Sequence, residues 1–146
     1  EALKGAIDLG IAMQLTNIAR DVNEDKIRKR QYIKPEFSPI QETIKESEIF
    51  YQNSFSSISS IPIRSRFSVL VARRVYKKIG DYILKQKNTV NYNKAGKIYV
   101  PTLGKLIETF LSIFDFMKLL FVKEVNYDNH IYHNILQEEI NLNERV

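Results

Sequence analysis

The 146-residue chain contains no cysteine and no tryptophan, and it has only 5 glycines and 4 prolines. Without thiols, disulfide scaffolds, zinc–thiolate sites and cysteine nucleophiles are excluded. Because glycine and proline are the residues that most often interrupt helices, their scarcity favours long helices over many short strands. The chain is 44% hydrophobic and 27% charged, which excludes disorder throughout and fits one domain with a core.

The net charge is +5, from 22 lysines and arginines against 17 aspartates and glutamates. This balance favours an anionic partner, whether a phosphorylated metabolite, nucleic acid or an anionic membrane surface, although a solvated basic surface has the same composition. The most apolar stretch, residues 106–122, contains Glu108, Asp115 and Lys118. Three charges within one such stretch argue against a membrane span.

Hydrophobic periodicity predicts an all-α fold. Apolar residues recur at steps of three and four from Ala2 to about Asp25, beginning with Ile7 and Ile11. Further helices are expected over 40–55, from Pro62 to about residue 87, and as an amphipathic helix over 106–122. The intervening segments, which are rich in proline, serine or asparagine, are predicted to be loops at 26–39, 54–60 and 88–101.

Apolar stripes are predicted on two of these helices. On the third helix the expected buried stripe excludes Arg73, which is placed elsewhere on the helix. Its members are Phe67, Leu70, Val71, Val75 and Ile79. On the last helix the apolar residues at helical spacing are Leu106, Phe110, Ile113, Phe114, Met117, Leu120 and Phe121.

The first helix carries a polar face beside its apolar stripe. Helical geometry places Gln14, Asn17, Asp21 and Asp25 within an arc of roughly 80°. The two aspartates stand one turn apart, about 5–6 Å between Cβ atoms, and repel each other unless a cation lies between them. Oxygen ligands without histidine or cysteine favour Mg²⁺ over zinc or copper. Arg20 lies beside this face and suits bidentate phosphate binding.

Two simpler interpretations of this face remain open from spacing alone. The face is compatible with ordinary solvation on one side of a helix. Glu24 and Asp25 are also compatible with ion pairs to Lys26, Arg28 or Lys29 nearby. The two aspartates four residues apart are a weak pattern when taken without their context.

The context is a resemblance to a known family. Residues 12–25, Ala-Met-Gln-Leu-Thr-Asn-Ile-Ala-Arg-Asp-Val-Asn-Glu-Asp, closely resemble the second aspartate-rich segment of the squalene/phytoene synthase family, most of all its bacterial phytoene synthases. Residues 30–35 resemble that family's Arg-x-Tyr-Leu-Pro, with one residue inserted before the proline. Weaker blocks follow in the same order at 50–54, 61–66, 72–80 and 97–106, so the resemblance covers roughly residues 1–110.

The resemblance implies an all-α isoprenoid-synthase helical bundle, of which this chain is the C-terminal portion. Residues 1–122 are then part of the prenyl synthase domain, and 123–146 form a polar tail. The implied reaction joins two molecules of geranylgeranyl diphosphate head to head into phytoene, through a cyclopropylcarbinyl diphosphate intermediate. Mg²⁺ is the implied cofactor, with Mn²⁺ as the alternative ion. Squalene or dehydrosqualene formation from farnesyl diphosphate, and a non-catalytic role in assembly, are the alternatives.

The same resemblance assigns roles to individual residues. Asp21 and Asp25 would be Mg²⁺ ligands, with Asn17 as the third member of the metal set. Arg20 would bind a diphosphate and join the two aspartates as a catalytic residue. Lys97 would replace a phosphate-binding arginine, keeping its charge without its bidentate fork. The residues assigned to substrate binding are Gln14, Asn17, Arg20, Tyr92 and Lys97.

The family's first aspartate-rich motif is not found in these 146 residues. We therefore expect the missing N-terminal half of the enzyme to be a partner of this chain, and the chain alone to be inactive. The resemblance also implies a cytoplasmic protein with peripheral contact to the inner face of a membrane. Nucleic-acid binding by the basic third helix is the weakest alternative, because those residues spread around the helix and form no single stripe.

Overall fold

The computed structural model describes residues 2–121, so the tail predicted at 123–146 lies outside the described residues. Between residues 2 and 121 the chain forms α-helices and no strand, which confirms the all-α prediction. The helices are α1 (Ala2–Arg20), α2 (Val22–Ile27), α3 (Phe37–Ser57), α4 (Ile63–Leu84), α5 (Thr89–Ala95) and α6 (Thr102–Leu120), with a 3₁₀ turn at Ile58–Ser60 between α3 and α4.

The predicted first helix is interrupted at Asp21. Its backbone there has φ −101° and ψ 13°, in the sparsely populated bridge region. The Asp21 N–H still donates to the Asn17 carbonyl at 2.8 Å, and the Asp25 N–H donates to the Asp21 carbonyl at 2.8 Å. The prediction of a helix over 2–25 is therefore right in extent, but the chain bends at a residue predicted to bind metal.

The loop predicted at 54–60 is wrong, because α3 continues through Ser57. The Ser54 hydroxyl donates to the Tyr51 carbonyl at 3.1 Å, so the preceding turn of the helix provides a hydrogen-bond partner for this buried hydroxyl. α3 also begins earlier than predicted, and Pro39 sits in its first turn, where a missing N–H costs no helical hydrogen bond.

The loop predicted at 88–101 contains the short helix α5. Asn88 caps it, since its side-chain oxygen accepts a hydrogen bond from the Asn91 N–H at 2.8 Å. Beyond α5, Ile98 and Val100 are buried while Tyr99 between them is exposed. This alternation is typical of an extended segment.

α1 packs closely against α3 through small side chains. A Cβ atom at Gly5 would overlap the side chain of Ser57, so only glycine permits this approach. The Thr16 hydroxyl meets the Tyr51 hydroxyl at 3.0 Å in the same contact. Ile7 and Ile11, which begin the predicted apolar pattern, are consequently only half buried. The fully buried face consists of Gly5, Asp8, Ala12, Thr16 and Ala19.

α4 buries Leu70 and Ile79 as predicted, but it also buries Arg73. Only 8% of Arg73 is exposed, and its Nε and Nη2 atoms donate to the Tyr51 carbonyl at 3.0 and 2.6 Å. Burial lowers the pKa of this guanidinium. The placement of Arg73 away from the buried side of the helix is therefore wrong, because the Tyr51 carbonyl accepts hydrogen bonds from its guanidinium inside the core.

α6 is amphipathic, as predicted, but its polar side faces the protein. Arg74 on α4 pairs with Glu108 at 2.9 Å and with Asp115 at 2.7 Å, and both carboxylates are buried. The opposite side, which we call the α6 apolar face, is exposed. It consists of Leu103, Leu106, Ile107, Phe110, Ile113, Phe114, Met117, Leu120 and Phe121.

None of the described helices combines the length and the apolar character needed to cross a bilayer.

Candidate functional site

One cleft of about 260 Å³ collects most of the residues that the sequence singles out. Because they recur along one face of α1 and α2, they line the same wall despite the bend at Asp21. The cleft contains Gln14, Asn17, Arg20, Asp21 and Asp25, together with Ile18, Arg28, Arg30 and Tyr32.

Asp21 lies at the centre of a charged network. Arg20 binds it bidentately, with Nε 2.8 Å from one carboxylate oxygen and Nη2 2.9 Å from the other. Lys97 Nζ lies 3.3 Å from the same carboxylate. Burial raises the pKa of Asp21, but the hydrogen bonds from Arg20 and Lys97 outweigh it, so the pKa is lowered overall. The hydrogen bond to Asp21 in turn raises the pKa of Arg20.

Asn17 carries an unsatisfied oxygen in this wall. Its Oδ1 atom is buried and has no hydrogen-bond partner among the described residues. A buried oxygen without a partner is costly, and one explanation is an ion that completes the site. No three His, Cys, Asp or Glu side chains converge on a metal position within residues 2–121. Asn17, Asp21 and Asp25 offer only oxygen atoms, and Mg²⁺ is usually held by such ligands from one or two carboxylates, with phosphate and water completing its shell.

Lys97 reaches the cleft rim from the segment after α5. Its Nζ atom lies 2.9 Å from Glu24 and bridges that carboxylate to Asp21. The hydrogen bond to Glu24 is the main cause that raises the pKa of Lys97. Glu24 thus pairs across the fold, and not with the neighbouring lysines that its sequence context suggests.

Tyr92 lies beneath the cleft and does not line it. The side chain is 1% exposed, and its hydroxyl lies 2.8 Å from the Ala19 carbonyl and 2.9 Å from the Arg20 carbonyl. These carbonyls belong to the last turn of α1, where the bend interrupts the regular helical ladder. Burial raises the pKa of Tyr92 to about 12, so the hydroxyl remains a neutral donor. In this conformation Tyr92 positions the end of α1.

Sequence reasoning gave no site role to Arg28, Arg30 and Tyr32, all of which line the cleft. The available signal was the basic run directly after Asp25, followed by the Arg-x-Tyr block at residues 30–32. Their position depends on the turn after α2, which residue spacing along one helix does not reveal.

Every basic residue of α4 except the exposed Arg64 is engaged within the protein. Arg66 donates to the Ser59 and Ile61 carbonyls, and Lys77 pairs with Glu48. Arg73 and Arg74 are likewise committed to α3 and α6. These contacts leave the cations of α4 poorly placed to follow a nucleic-acid backbone.

All the residues that line the cleft lie in the part of the chain that matches a family model. The model is squalene/phytoene synthase, and it matches residues 1–36, which span α1, α2 and the following connection. Over these residues the chain is similar to the squalene/phytoene synthases. The resemblance carried by residues 12–25 is confirmed by this match and by the named relatives.

Several curated relatives extend the similarity beyond the family model. A 15-cis-phytoene synthase from Pantoea ananas is 33% identical over 99 residues, covering 53% of this chain and 32% of the relative. Another from Paracoccus sp. is 30% identical over 125 residues, covering 70% and 41%. A chloroplastic phytoene synthase from Daucus carota is 32% identical over 123 residues, covering 70% and 30%. No solved structure gave a significant match.

The chain thus spans about a third of the length of these phytoene synthases. The matches are spread across bacterial and chloroplast proteins.

Proposed function

We propose that this chain is the C-terminal portion of an Mg²⁺-dependent prenyltransferase that condenses two geranylgeranyl diphosphates into phytoene. The reaction would pass through a cyclopropylcarbinyl diphosphate intermediate. One observation supports this most strongly. Asn17, whose buried Oδ1 atom has no partner among the described residues, lines the same cleft as Asp21 and Asp25, within the segment that matches the family. The relatives' names, phytoene synthase, suggest the product.

Residues in and around the cleft would each have a separate part in holding the diphosphate. Asn17, Asp21 and Asp25 would bind Mg²⁺, which supplies charge stabilisation to a departing diphosphate. Arg20 orients the Asp21 carboxylate and places a guanidinium at the cleft surface. Lys97 holds the same carboxylate from the rim, and Tyr92 fixes the end of the helix that bears it.

We propose that the hydrocarbon chain of the prenyl diphosphate lies along α1. Toward the N-terminus of α1, a largely apolar cavity of about 320 Å³ is lined by Ala6, Leu9, Gly10 and Met13, and by Val69 from α4. Gly10 and Met13 precede Gln14 and Asn17 on one continuous helical face. A carbocation must be shielded from water, and an apolar wall next to a diphosphate site provides such shielding.

The cleft provides one wall of such a site. Because the chain spans about a third of its relatives' length, we propose that the remainder of the enzyme supplies the opposing aspartate-rich motif. The chain alone would then bind a prenyl diphosphate without converting it.

A binding experiment with a paired product assay tests this function. Calorimetry of the 146-residue chain with a non-reactive geranylgeranyl thiodiphosphate should show Mg²⁺-dependent binding that Asp25→Asn removes. Glu36→Gln, which changes an exposed carboxylate outside the cleft, is the matched control. Absence of Mg²⁺-dependent binding would contradict the function and favour the assembly alternative. Phytoene formed by the chain alone would contradict only its status as a fragment. A farnesyl analogue that binds more tightly would favour the squalene-type alternative.

We also propose peripheral contact with the cytoplasmic face of a membrane. The support is the α6 apolar face, on which nine large apolar side chains are exposed and which is flanked by exposed lysines such as Lys105 and Lys118. Apolar residues flanked by lysines are typical of helices that lie in a bilayer interface. A hydrocarbon product would also need a lipid phase to enter.

Vesicle flotation tests this contact. The wild-type chain should float with vesicles of phosphatidylglycerol and phosphatidylcholine, and Phe110→Glu with Phe114→Glu should remove that binding. Val90→Glu, which changes an exposed apolar residue on α5, is the control and should still float. Wild-type chain that stays unbound but elutes as a dimer would instead assign the face to a second copy.

A further inference from the structure

The chain turns back toward the cleft directly after α2. The Lys29 N–H donates to the Lys26 carbonyl at 3.1 Å, and the Arg30 N–H donates to the Asp25 carbonyl at 2.8 Å. Lys29 has φ 56°, in the left-handed region. These features define a Schellman motif, which closes the helix and fixes the direction of the following residues. A lysine at this position is unfavourable, since glycine is the residue that usually occupies it.

This turn places Arg28 and Arg30 beside Asp25 in the cleft. Both arginines are exposed, and neither side chain makes a hydrogen bond or an ion pair within residues 2–121. The other cations at the site are engaged, because Arg20 is bound to Asp21 and Lys97 bridges Asp21 and Glu24. Arg28 and Arg30 therefore offer free donors at the site.

The charge of the cleft leads to the same conclusion. Its lining residues include three arginines against two aspartates, an excess of one positive charge before any metal binds. A divalent cation at Asn17, Asp21 and Asp25 would increase that excess. Asn17, whose buried Oδ1 atom has no hydrogen-bond partner among the described residues, lines the same cleft. An anion with several oxygens would neutralise the excess and satisfy the free guanidinium donors.

We propose that Arg28 and Arg30 form an anion clamp, a pair of guanidinium groups in the same cleft as the aspartates. The left-handed turn at Lys29 holds this pair beside Asp21 and Asp25. The clamp binds the phosphate oxygens of a diphosphate while Arg20 and Lys97 remain on the carboxylates. This inference rests on the proposed function and adds two binding residues and the turn that positions them.

Calorimetry with inorganic pyrophosphate and Mg²⁺ tests the clamp on the full chain. A charge-assisted hydrogen bond is typically worth a factor of about 10 or more in affinity, so Arg28→Gln and Arg30→Gln should each weaken binding roughly tenfold. Arg64→Gln is the matched control, since Arg64 is exposed, unpaired among the described residues and outside the cleft. It should leave affinity within about twofold.

The turn itself is tested by two substitutions at one position. Lys29→Gly keeps the left-handed conformation and should retain pyrophosphate affinity, whereas Lys29→Val opposes that conformation and should weaken binding in the same direction as the arginine variants. Circular dichroism of each variant should match the wild type, which separates loss of the clamp from loss of the fold.

The outcomes distinguish the clamp from the proposed function. If the arginine variants bind as the wild type does while Asp21→Asn loses binding, the clamp is wrong and the proposed metal site stands. If binding persists without Mg²⁺ and in Asp21→Asn but falls in the arginine variants, the clamp stands and the metal proposal is wrong. Wild-type chain that binds no pyrophosphate would overturn the clamp.

Discussion

Replacing Tyr92 with phenylalanine is the sharpest test of how this structure holds its site. The substitution removes one hydroxyl and keeps the buried ring. That hydroxyl is shared between the Ala19 and Arg20 carbonyls, at 2.8 and 2.9 Å, where α1 stops and the chain bends at Asp21. No other described element supplies a side-chain hydrogen bond to these two oxygens, so the change leaves them without this partner.

The expected cost follows from the burial of this group. A hydroxyl has one proton, so one hydrogen bond is counted even though two carbonyls share it. Its net contribution is about 0.5–1.5 kcal/mol, and leaving a buried acceptor unsatisfied costs about 1–3 kcal/mol. We therefore expect Tyr92→Phe to lower the free energy of unfolding by about 2 kcal/mol. In a chain of this length that corresponds to a fall in melting temperature of roughly 4–8 °C.

Urea unfolding followed by circular dichroism measures this cost. Tyr82→Phe is the matched control, because the Tyr82 hydroxyl makes no hydrogen bond within the described part of the chain and its ring remains under Lys85. The control should change the free energy of unfolding by less than about 0.5 kcal/mol. Equal losses in the two variants would refute the argument that Tyr92 holds the end of α1.

Three further predictions concern the rest of the fold. Gly5→Ala should destabilise the protein by about 1–3 kcal/mol through overlap with Ser57, whereas Gly10→Ala, with nothing within 4 Å of its new Cβ, should stabilise it by about 0.5–1 kcal/mol, both measured by the same urea unfolding. Arg74→Met should cost about 3 kcal/mol in urea unfolding, because buried Asp115 loses its ion pair and buried Glu108 keeps only Lys78, at 3.6 Å; a cost equal to that of exposed Arg64→Gln would contradict this. Burial raises the pKa of Tyr51 from 10.0 to about 12, so its neutral hydroxyl stabilises the fold below pH 10 and that contribution is lost between pH 10 and 12. The stability advantage of the wild type over Tyr51→Phe should shrink across that range, and a constant difference would contradict the pKa.

The sequence predicts well which segments form helices, because the spacing of apolar residues can be read within each segment alone. The helical extent of residues 2–25 and the start of α4 after Pro62 both follow from it. The errors arise where local signals compete with packing. Serines at 54–57 look like a loop, yet Ser54 bonds to the preceding turn and stays in α3.

The orientation of α6 was not available from periodicity. A periodic pattern defines an apolar side of a helix but does not say which side the protein covers. Here Arg74 selects the polar side by pairing with Glu108 and Asp115, and it does so from another helix. The burial of Arg73 has the same origin, because its partner is the Tyr51 carbonyl on α3.

The composition of the cleft was partly predictable. Gln14, Asn17 and Asp21 share one helical face, so spacing alone places them on a common wall. The roles of Tyr92 and Lys97 depend on contacts more than 70 residues away in sequence, such as the bond from Lys97 to Glu24. Spacing along one helix carries no information about such contacts.

The central claim is that Asn17, Asp21 and Asp25 bind one divalent cation together with a diphosphate. Electron paramagnetic resonance of Mn²⁺, titrated into the full chain with pyrophosphate, measures this binding directly. The account predicts one bound ion per chain, with affinity at least tenfold weaker in Asp25→Asn. Asn17→Leu should lose the ion and yet unfold at higher urea concentration in its absence, because it removes an unsatisfied buried oxygen. Unchanged Mn²⁺ affinity in both variants would contradict the claim.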